Sequence, residues 1–552
     1  MKVVIVGGVA GGAGAAARLR RNNESAEIIL FERGEHISFA NCGLPYYIGG
    51  VIDNEDELLI QTPEGFSKRF NVDVRTNSEV IALDAAGKRV TVKNLKNNET
   101  YSENFDKLIL SPGAKPIRLP IKGANNDNVF TLRSIPDANK IKEFIEKNDP
   151  KTAAVIGGGY IGLEMADNLY RAGIRTSIIE AMPHVMNSLD IDMAHRVHNH
   201  IRDKGVDLYL NSRATEIKDN NVILEDGRSV PAELIIMSVG IAPETNFLRN
   251  SGIELGEKGE IIVNDRMQTS LLDIYAVGDA AGIMNFVSGK RQIIPLASPA
   301  NKQARIVADV VCGIDVKYTG AQGTAIAKVF DMTVAVTGEN EETLKNRGAE
   351  YVKSITVSSS NATYYPGGDT MYIKLLFENN GKILGAQITG FKGVDKRIDV
   401  LATAIRAKMT VFDLQELELA YAPPYSSAKD PVNMAGYVAG NILAGTMKPF
   451  YIEDLPNLPE DALLIDVRTR GEYNMGHIEG AINIPLDEIR ENLNSIDKNK
   501  KIFVYCRIAQ RAYIAERILT QAGFNVSNLA GGYLFYEQQK LDVTDKEAMA
   551  YV

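Results

Sequence analysis

The sequence predicts an α/β protein in four parts: two similar parallel-sheet units, an α+β third domain and a further α/β domain at the C-terminus. Three observations predict it. Two short apolar runs each enter a glycine turn and then an amphipathic helix, at Val3-Val4-Ile5-Val6-Gly7-Gly8 and at Ala153-Ala154-Val155-Ile156-Gly157-Gly158-Gly159. After Ile274-Tyr275-Ala276-Val277-Gly278-Asp279 the pattern changes to alternating strand and helix signals, with Lys328 to Thr337 and Tyr372 to Phe377 reading as strands. Pro449, Pro456 and Pro459 then punctuate a stretch beyond which a new buried strand begins at Ala462.

Each of the first two units closes on a second apolar strand and a glycine turn, at Ile109-Leu110-Ser111-Pro112-Gly113-Ala114 and at Ile235-Ile236-Met237-Ser238-Val239-Gly240. The expected boundaries are 1–115 with 265–325 for the first unit, 116–264 for the second, 326–447 for the third domain, 448–460 for a linker and 461–552 for the last domain. A chain of 552 residues is too long for one core, so several are expected.

Composition excludes several function classes. A net charge of -9 with no Lys/Arg block or interleaved aromatic stripe gives no footprint for nucleic acid. The apolar runs are far too short to span a membrane. Cys42, Cys312 and Cys506 are too far apart in sequence for a disulfide framework or a metal cluster, which fits a reducing cytoplasm and no metal site.

The second glycine loop, Gly157-x-Gly159-x-x-Gly162, follows a strand and opens a helix, the setting in which this spacing binds a dinucleotide. Gly157 permits the turn, Gly159 lets backbone approach the pyrophosphate, and Gly162 lets helix pack on strand. Glu180 ends the next strand, where a carboxylate accepts from both ribose hydroxyls and repels a 2′-phosphate, so NADH is expected over NADPH. In the first loop Gly7 and Gly12 are present while Val9 takes the middle position. Glu32 supplies the ribose carboxylate with Arg33 beside it, and Asp279 ends a strand toward ribityl or phosphate groups. Two such pockets in one chain point to FAD and NADH together.

Cys42, in Ser38-Phe39-Ala40-Asn41-Cys42-Gly43-Leu44-Pro45-Tyr46, has no second cysteine before Cys312. It cannot close a local disulfide, so its chemistry is that of a mixed disulfide or a sulfenate. Cys312 reads as packing. Cys506 follows the buried strand Ile502-Phe503-Val504-Tyr505 and opens a loop into a helix, where backbone N–H groups converge on the sulfur and lower the thiol pKa; Arg507 and Arg511 add positive charge.

These residues resemble a known family. Gly7-Gly8-Val9-Ala10-Gly11-Gly12, the Cys42 stretch, Ala420-Tyr421-Ala422-Pro423-Pro424-Tyr425 and the C-terminal segment are similar to the coenzyme A-disulfide reductases fused to a rhodanese domain, a group that includes NADH-dependent persulfide and polysulfide reductases. In the C-terminal segment the resemblance to rhodanese rests on Asp466-Val467-Arg468, Glu472, Gly476-His477-Ile478-Glu479-Gly480-Ala481, Asn483-Ile484-Pro485 and Gly531-Gly532-Tyr533. The resemblance implies Rossmann-like FAD and NADH domains of the disulfide reductase flavoprotein type, an α+β dimerisation domain, a rhodanese-like domain and a homodimer. It makes Cys42 the nucleophile facing the flavin, and Tyr364 and Tyr421 proton donors contributed by the neighbouring subunit. Coenzyme A contacts fall on Arg18, Arg21, Ser38, Asn41 and Lys429, whereas Gly14 and Asn301 replace side chains seen in some members. The six-residue loop from Cys506 to Arg511 has the length that suits a sulfane sulfur; related phosphatases use one residue more.

The expected enzyme passes hydride from NADH to FAD and breaks a sulfur–sulfur bond on coenzyme A disulfide, coenzyme A persulfide or polysulfide, with Cys506 handling sulfane sulfur. Two rival readings remain open at this point. One is an NADH oxidase or peroxidase cycling through a sulfenate, a family that would place a histidine in the first glycine loop where Val9-Ala10 stand. The other is a redox-sensing sulfur carrier without turnover.

Overall fold

The computed structural model describes residues 1–549, with side chains through Asp542. The chain divides into two bodies, 1–183 with 206–323 and 184–205 with 324–552.

Along the chain, β1 (Lys2–Val6) runs through the first glycine loop into α1 (Ala10–Asn22) and β2 (Glu27–Phe31), and a 3-10 turn at Asn41–Gly43 runs into α2 (Leu44–Ile48). Strands β3 (Asp73–Arg75) and β4 (Lys107–Leu110) follow, then β5 (Val129–Phe130), β6 (Thr152–Ile156), α3 (Tyr160–Arg171) and β7 (Arg175–Ile179). Helix α4 (Ile191–Asp203) belongs to the second body; β8 (Asp207–Tyr209), β9 (Leu234–Met237), β10 (Ile274–Ala276) and α5 (Ala297–Val311) complete the first.

Two five-stranded parallel sheets result, ordered β10-β4-β1-β2-β3 and β8-β7-β6-β9-β5. In both, the strand feeding the glycine loop is central. Its residues are apolar almost without interruption because both faces of a parallel sheet are covered, and Val3, Val4, Ile5, Ala153, Ala154 and Val155 are fully buried.

The second body is built on an antiparallel sheet of β11 (Ala325–Val329), β12 (Met332–Gly338), β13 (Val352–Ser359), β14 (Thr370–Phe377) and β15 (Ile383–Gly390), in the order β11-β12-β15-β14-β13. The single strand expected over Lys328 to Thr337 is instead a hairpin. Phe330 adopts a left-handed φ of 57° and, with Asp331, makes the two-residue turn, a reversal that a continuous apolar pattern does not announce. Helix α4, read from sequence with the second dinucleotide unit, packs in this body. Just ahead of and inside its first turn, Asp190 (3.0 Å) and Asp192 (2.7 Å) receive the fully buried Lys374 ammonium of β14, which Glu341 also binds. A buried ammonium needs such partners, so the pairing fixes where the helix begins.

The C-terminal domain is a parallel sheet of β16 (Pro449–Phe450), β17 (Leu463–Asp466), β18 (Ile482–Asn483), β19 (Lys501–Tyr505) and β20 (Asn525–Leu529), ordered β16-β20-β19-β17-β18. Helix α6 (Gln510–Gln521) connects β19 to β20, and α7 (Gly532–Met549) follows. The stretch 448–460, expected as a linker, begins with an edge strand of this domain, Pro449 and Phe450 pairing with Asn528 and Leu529, while Tyr451 donates to the Lys353 carbonyl of β13 at 2.7 Å. Its prolines start an edge strand and interrupt a 3-10 turn at Ile452–Asn457.

Candidate functional sites

The two glycine loops superimpose in their constraints. Gly7 (φ 97°) and Gly157 (φ 108°) both take left-handed conformations, and a Cβ on either would fall 2.0 Å from Ser111 O or 2.2 Å from Ser238 O. A Cβ on Gly12 would lie 1.8 Å from Gly7 O, and one on Gly162 would lie 2.0 Å from Gly157 O. The middle positions differ. Val9 precedes α1 with φ -98°, which any residue adopts, whereas a Cβ on Gly159 would meet nothing within 4 Å. Glycine there serves an approach from outside, which is what a pyrophosphate on the helix N-terminus requires.

The ribose carboxylates are held in advance. Glu32 accepts from Gly8 N and Gly34 N, both at 2.8 Å, and Glu180 accepts from Gly158 N at 2.7 Å and Met182 N at 2.8 Å. Each carboxylate is thereby aimed across its own glycine loop, so both pockets fit the adenosine half of a dinucleotide. Arg33 extends instead to Glu244 at 2.6 Å. Asp279 faces Arg133 at 3.8 Å, and burial pushes its carboxyl up despite that partner.

Cys42 sits exposed in the 3-10 turn that opens α2. Burial of its surroundings raises the thiol pKa, the Glu164 and Asp279 carboxylates raise it further, and Arg133 pulls against them. Glu164, on the second turn of α3, is itself pushed up to about 7 by burial, with the Tyr46 phenol bonded to it. Ser38, at the start of the motif, holds a left-handed φ of 45° and donates its amide to Gly8 O at 2.8 Å, which ties the Cys42 segment to the first glycine loop. Asn41 occupies the same 3-10 turn as Cys42. Arg18 is bound by Asp309 (2.7 and 3.2 Å), with Asn22 on the same carboxylate, while Arg21 leans over the Phe70 ring. Cys312 packs beside this cluster at the end of α5.

In the second body the Tyr364 and Tyr421 hydroxyls are 2.7 Å apart, on side chains 75% and 46% exposed. Tyr364 is largely open to solvent, so the pair presents its hydroxyls at the surface rather than inside a core. Their shared hydrogen bond raises the Tyr421 pKa. Lys429 is exposed nearby in sequence, just ahead of Asp430, which is buried against Arg397.

Cys506 is 1% exposed, at the end of β19. Burial raises its pKa; the N–H groups of Ala512, Ile508 and Arg511 and the Arg511 guanidinium pull it down without overcoming burial. The expectation of a lowered thiol pKa is thus corrected: the amides converge as predicted, and desolvation of a completely enclosed sulfur outweighs them. Ala509 takes a left-handed φ of 69° to bring the loop into α6. Arg511 is oriented by a bidentate pair with Glu472 (2.8 and 2.7 Å), whose carboxyl it holds down at about 2. His477 stacks on Tyr473 at 3.9 Å.

Sequence reasoning did not single out Arg133, Glu164 or Tyr46. Arg133 stands in a loop far from Cys42 in the chain and carries no local signal. Glu164 does carry one: two residues beyond Gly162, it is a carboxylate in an otherwise apolar helix start.

Comparison with known proteins places the chain. The pattern of the pyridine nucleotide-disulphide oxidoreductase family matches residues 1–304, that of its dimerisation domain 324–431, and that of the rhodanese-like domain 452–539. The coenzyme A disulfide reductase of Staphylococcus aureus (strain bovine RF122 / ET3-1) is 39% identical over 445 residues, covering 79% of this chain and 99% of that protein. The structure of reduced Bacillus anthracis CoADR-RHD is 47% identical, with a TM-score of 0.96 and 98% of each chain covered. That of a NAD-dependent persulfide reductase from A. fulgidus is 38% identical, with a TM-score of 0.91, covering 97% of this chain and 100% of that one.

Proposed function

Because the chain belongs to the pyridine nucleotide-disulphide oxidoreductase family and carries a rhodanese-like domain as well, we propose that it is an NADH-dependent FAD enzyme that reduces the sulfur–sulfur bond of a coenzyme A disulfide, a coenzyme A persulfide or a polysulfide. The observation that carries this reading is a lone exposed cysteine, Cys42, in the same chain as an enclosed sulfur loop at Cys506. Relatives named for coenzyme A disulfide and for persulfide reduction support it.

Bound NADH and FAD supply the two electrons. The chain's own part begins with Glu180, which accepts from the ribose of NADH. The Cys42 thiolate attacks one sulfur of the substrate, the sulfur–sulfur bond breaks, and the departing thiolate takes a proton. The partner subunit's Tyr364 and the partner subunit's Tyr421, in a homodimer, are the proton donors in this reading. Two electrons then cleave the Cys42–substrate disulfide, releasing the second thiol and restoring Cys42. For a coenzyme A disulfide, one disulfide, one NADH and one proton give two thiols and NAD. Cys506 carries sulfane sulfur as a persulfide. Its tethering raises the local concentration of that sulfur for the reductase half.

Two full-length variants test this. Cys42→Ser is expected to keep FAD, to remain reducible by NADH, and to lose turnover with every sulfur substrate. Cys506→Ala is expected to reduce small coenzyme A disulfides at the parent rate and to lose use of donors too bulky to reach Cys42. Retained turnover in Cys42→Ser overturns the proposed route, and an unaffected Cys506→Ala with every donor removes the sulfur-delivery role.

A further inference from the structure

Helix α7 meets the Cys506 loop at one end and α4 further along. At its start the Tyr533 and Leu534 amides donate to the carbonyls of Cys506 (2.8 Å) and Arg507 (3.0 Å). A Cβ on Gly532 would lie 2.7 Å from both Ala509 N and Cys506 O, so loop and helix start touch backbone to backbone with no slack.

Midway, the Asn199 side-chain amide of α4 donates to Gln538 O at 2.7 Å. Asp542, with its side chain fully buried, then takes three donors from α4. His195 Nδ1 (2.5 Å) and His198 Nδ1 (2.9 Å) reach Oδ2, and the Arg202 guanidinium reaches Oδ1. His198 is held as the neutral Nδ1–H tautomer, because its Nε2 accepts from Val185 N at 3.2 Å. Two imidazoles and a guanidinium thus converge on one carboxylate and clamp it. Burial alone would raise the Asp542 carboxyl, but the two imidazoles and Arg202 hold it far below the carboxylate range. Along α7, Tyr533 and Asp542 are separated by about 13 Å of helix, a single stiff element.

We propose that Asp542 is a positioning residue for the sulfur chemistry at Cys506: clamped by His195, His198 and Arg202, it fixes α7, and the start of α7 holds the loop whose amides converge on Cys506. The meaning of this device rests on the reading of Cys506 as the sulfur carrier, but its existence is read on the thiol itself. No step of sulfur transfer passes through Asp542; it acts through backbone contacts at the far end of the helix.

The test uses full-length Asp542→Asn, in which an amide nitrogen would face donors that need an acceptor. The rate of Cys506 alkylation by iodoacetamide is followed across pH by mass spectrometry of the Cys506 peptide, with Cys42 in the same digest as reference and sulfur transfer from thiosulfate to cyanide measured alongside. A loosened loop uncovers an enclosed thiol while losing the amide array that receives sulfane sulfur, so alkylation is expected to rise at least about threefold as sulfur transfer falls by a similar factor. Cys42 should keep its parent rate. Phe524→Leu, a change in the core of the same domain, is the control and is expected to lower the melting temperature without moving the Cys506 profile. The proposal is overturned if the Asp542→Asn profile superimposes on the parent's, or moves no further than that of Phe524→Leu at matched loss of stability. Should Asp542→Asn fail to fold, Asn199→Ala loosens the same helix midway, and an unmoved profile there overturns the proposal equally. Absence of sulfur transfer in the parent protein would count against the function of Cys506 proposed above, and the alkylation arm would still decide this inference.

Discussion

Cys42 and Cys506 are two sulfurs in opposite circumstances. Cys42 stands exposed on a 3-10 turn, with burial and the Glu164 and Asp279 carboxylates opposing its thiolate and Arg133 and a backbone amide assisting it. Cys506 is enclosed and surrounded by its own helpers, three backbone amides and a guanidinium that Glu472 holds in place. The first site sets two carboxylates against the thiolate that its chemistry needs. The second is assembled within its own domain, from the loop, Glu472 and the start of α7. One protein thus carries a site with carboxylates set against its thiolate and a site with amides and a guanidinium set toward it.

Substitutions confined to one side should leave the other untouched. The largest effect is expected from Arg511→Met, which removes the charge aimed at Cys506 and leaves Glu472 unpaired. Sulfur transfer should fall by about 10²-fold, as when one preorganised donor is lost elsewhere, while NADH-dependent reduction of a small coenzyme A disulfide stays at the parent rate. A parallel fall in both activities would mean that the loop is not self-contained. Next comes Glu180→Arg, which replaces an acceptor for ribose hydroxyls by a partner for phosphate. The NADH-to-NADPH ratio of kcat/KM should drop by about 10- to 100-fold with sulfur transfer unchanged. Equal efficiency with both cofactors in the parent would show that Glu180 does not discriminate.

The smallest effect lies at the seam where the rhodanese-like domain begins. Glu516, buried on α6, accepts from Lys448 N at 2.6 Å with one oxygen, and its other oxygen has no hydrogen-bond partner among the described residues. Burial pushes this carboxyl up to about 7. Its folded pKa is raised above the unfolded value, so its contribution is fully present below about pH 4.5 and is lost as pH rises through 7. Urea unfolding of the full chain should therefore show the C-terminal transition weakening by about 1–2 kcal/mol between pH 5 and pH 8, and Glu516→Gln should flatten that dependence. If the pH dependence persists in Glu516→Gln, another group at the seam is responsible.

What was legible from sequence was what lies in short strings. The glycine loops are legible because the clashes at Gly7, Gly12, Gly157 and Gly162 are local, and Cys506 because strand, loop and helix follow one another directly. Less legible were features made by distant chain segments. Arg18 and Arg21 are correctly spaced on one helix, yet Asp309, almost three hundred residues on, captures Arg18. Helix α4 has the amphipathic pattern of a crossover helix, and nothing in that pattern says that Lys374 and Asp542 will hold it in the other body. The Cys506 pKa was misjudged for a related reason: converging amides can be inferred from a motif, whereas the degree of enclosure depends on the whole domain.

The rhodanese-like sheet ends on both sides in strands of two residues, Pro449–Phe450 and Ile482–Asn483, and the proline supplies no N–H. An open sheet edge is a template on which another chain can lay a strand, and the hazard grows with the length of unpaired ladder. Here there is almost no ladder to copy. When the domain opens, its short edges leave little unpaired ladder from which a polymer could grow.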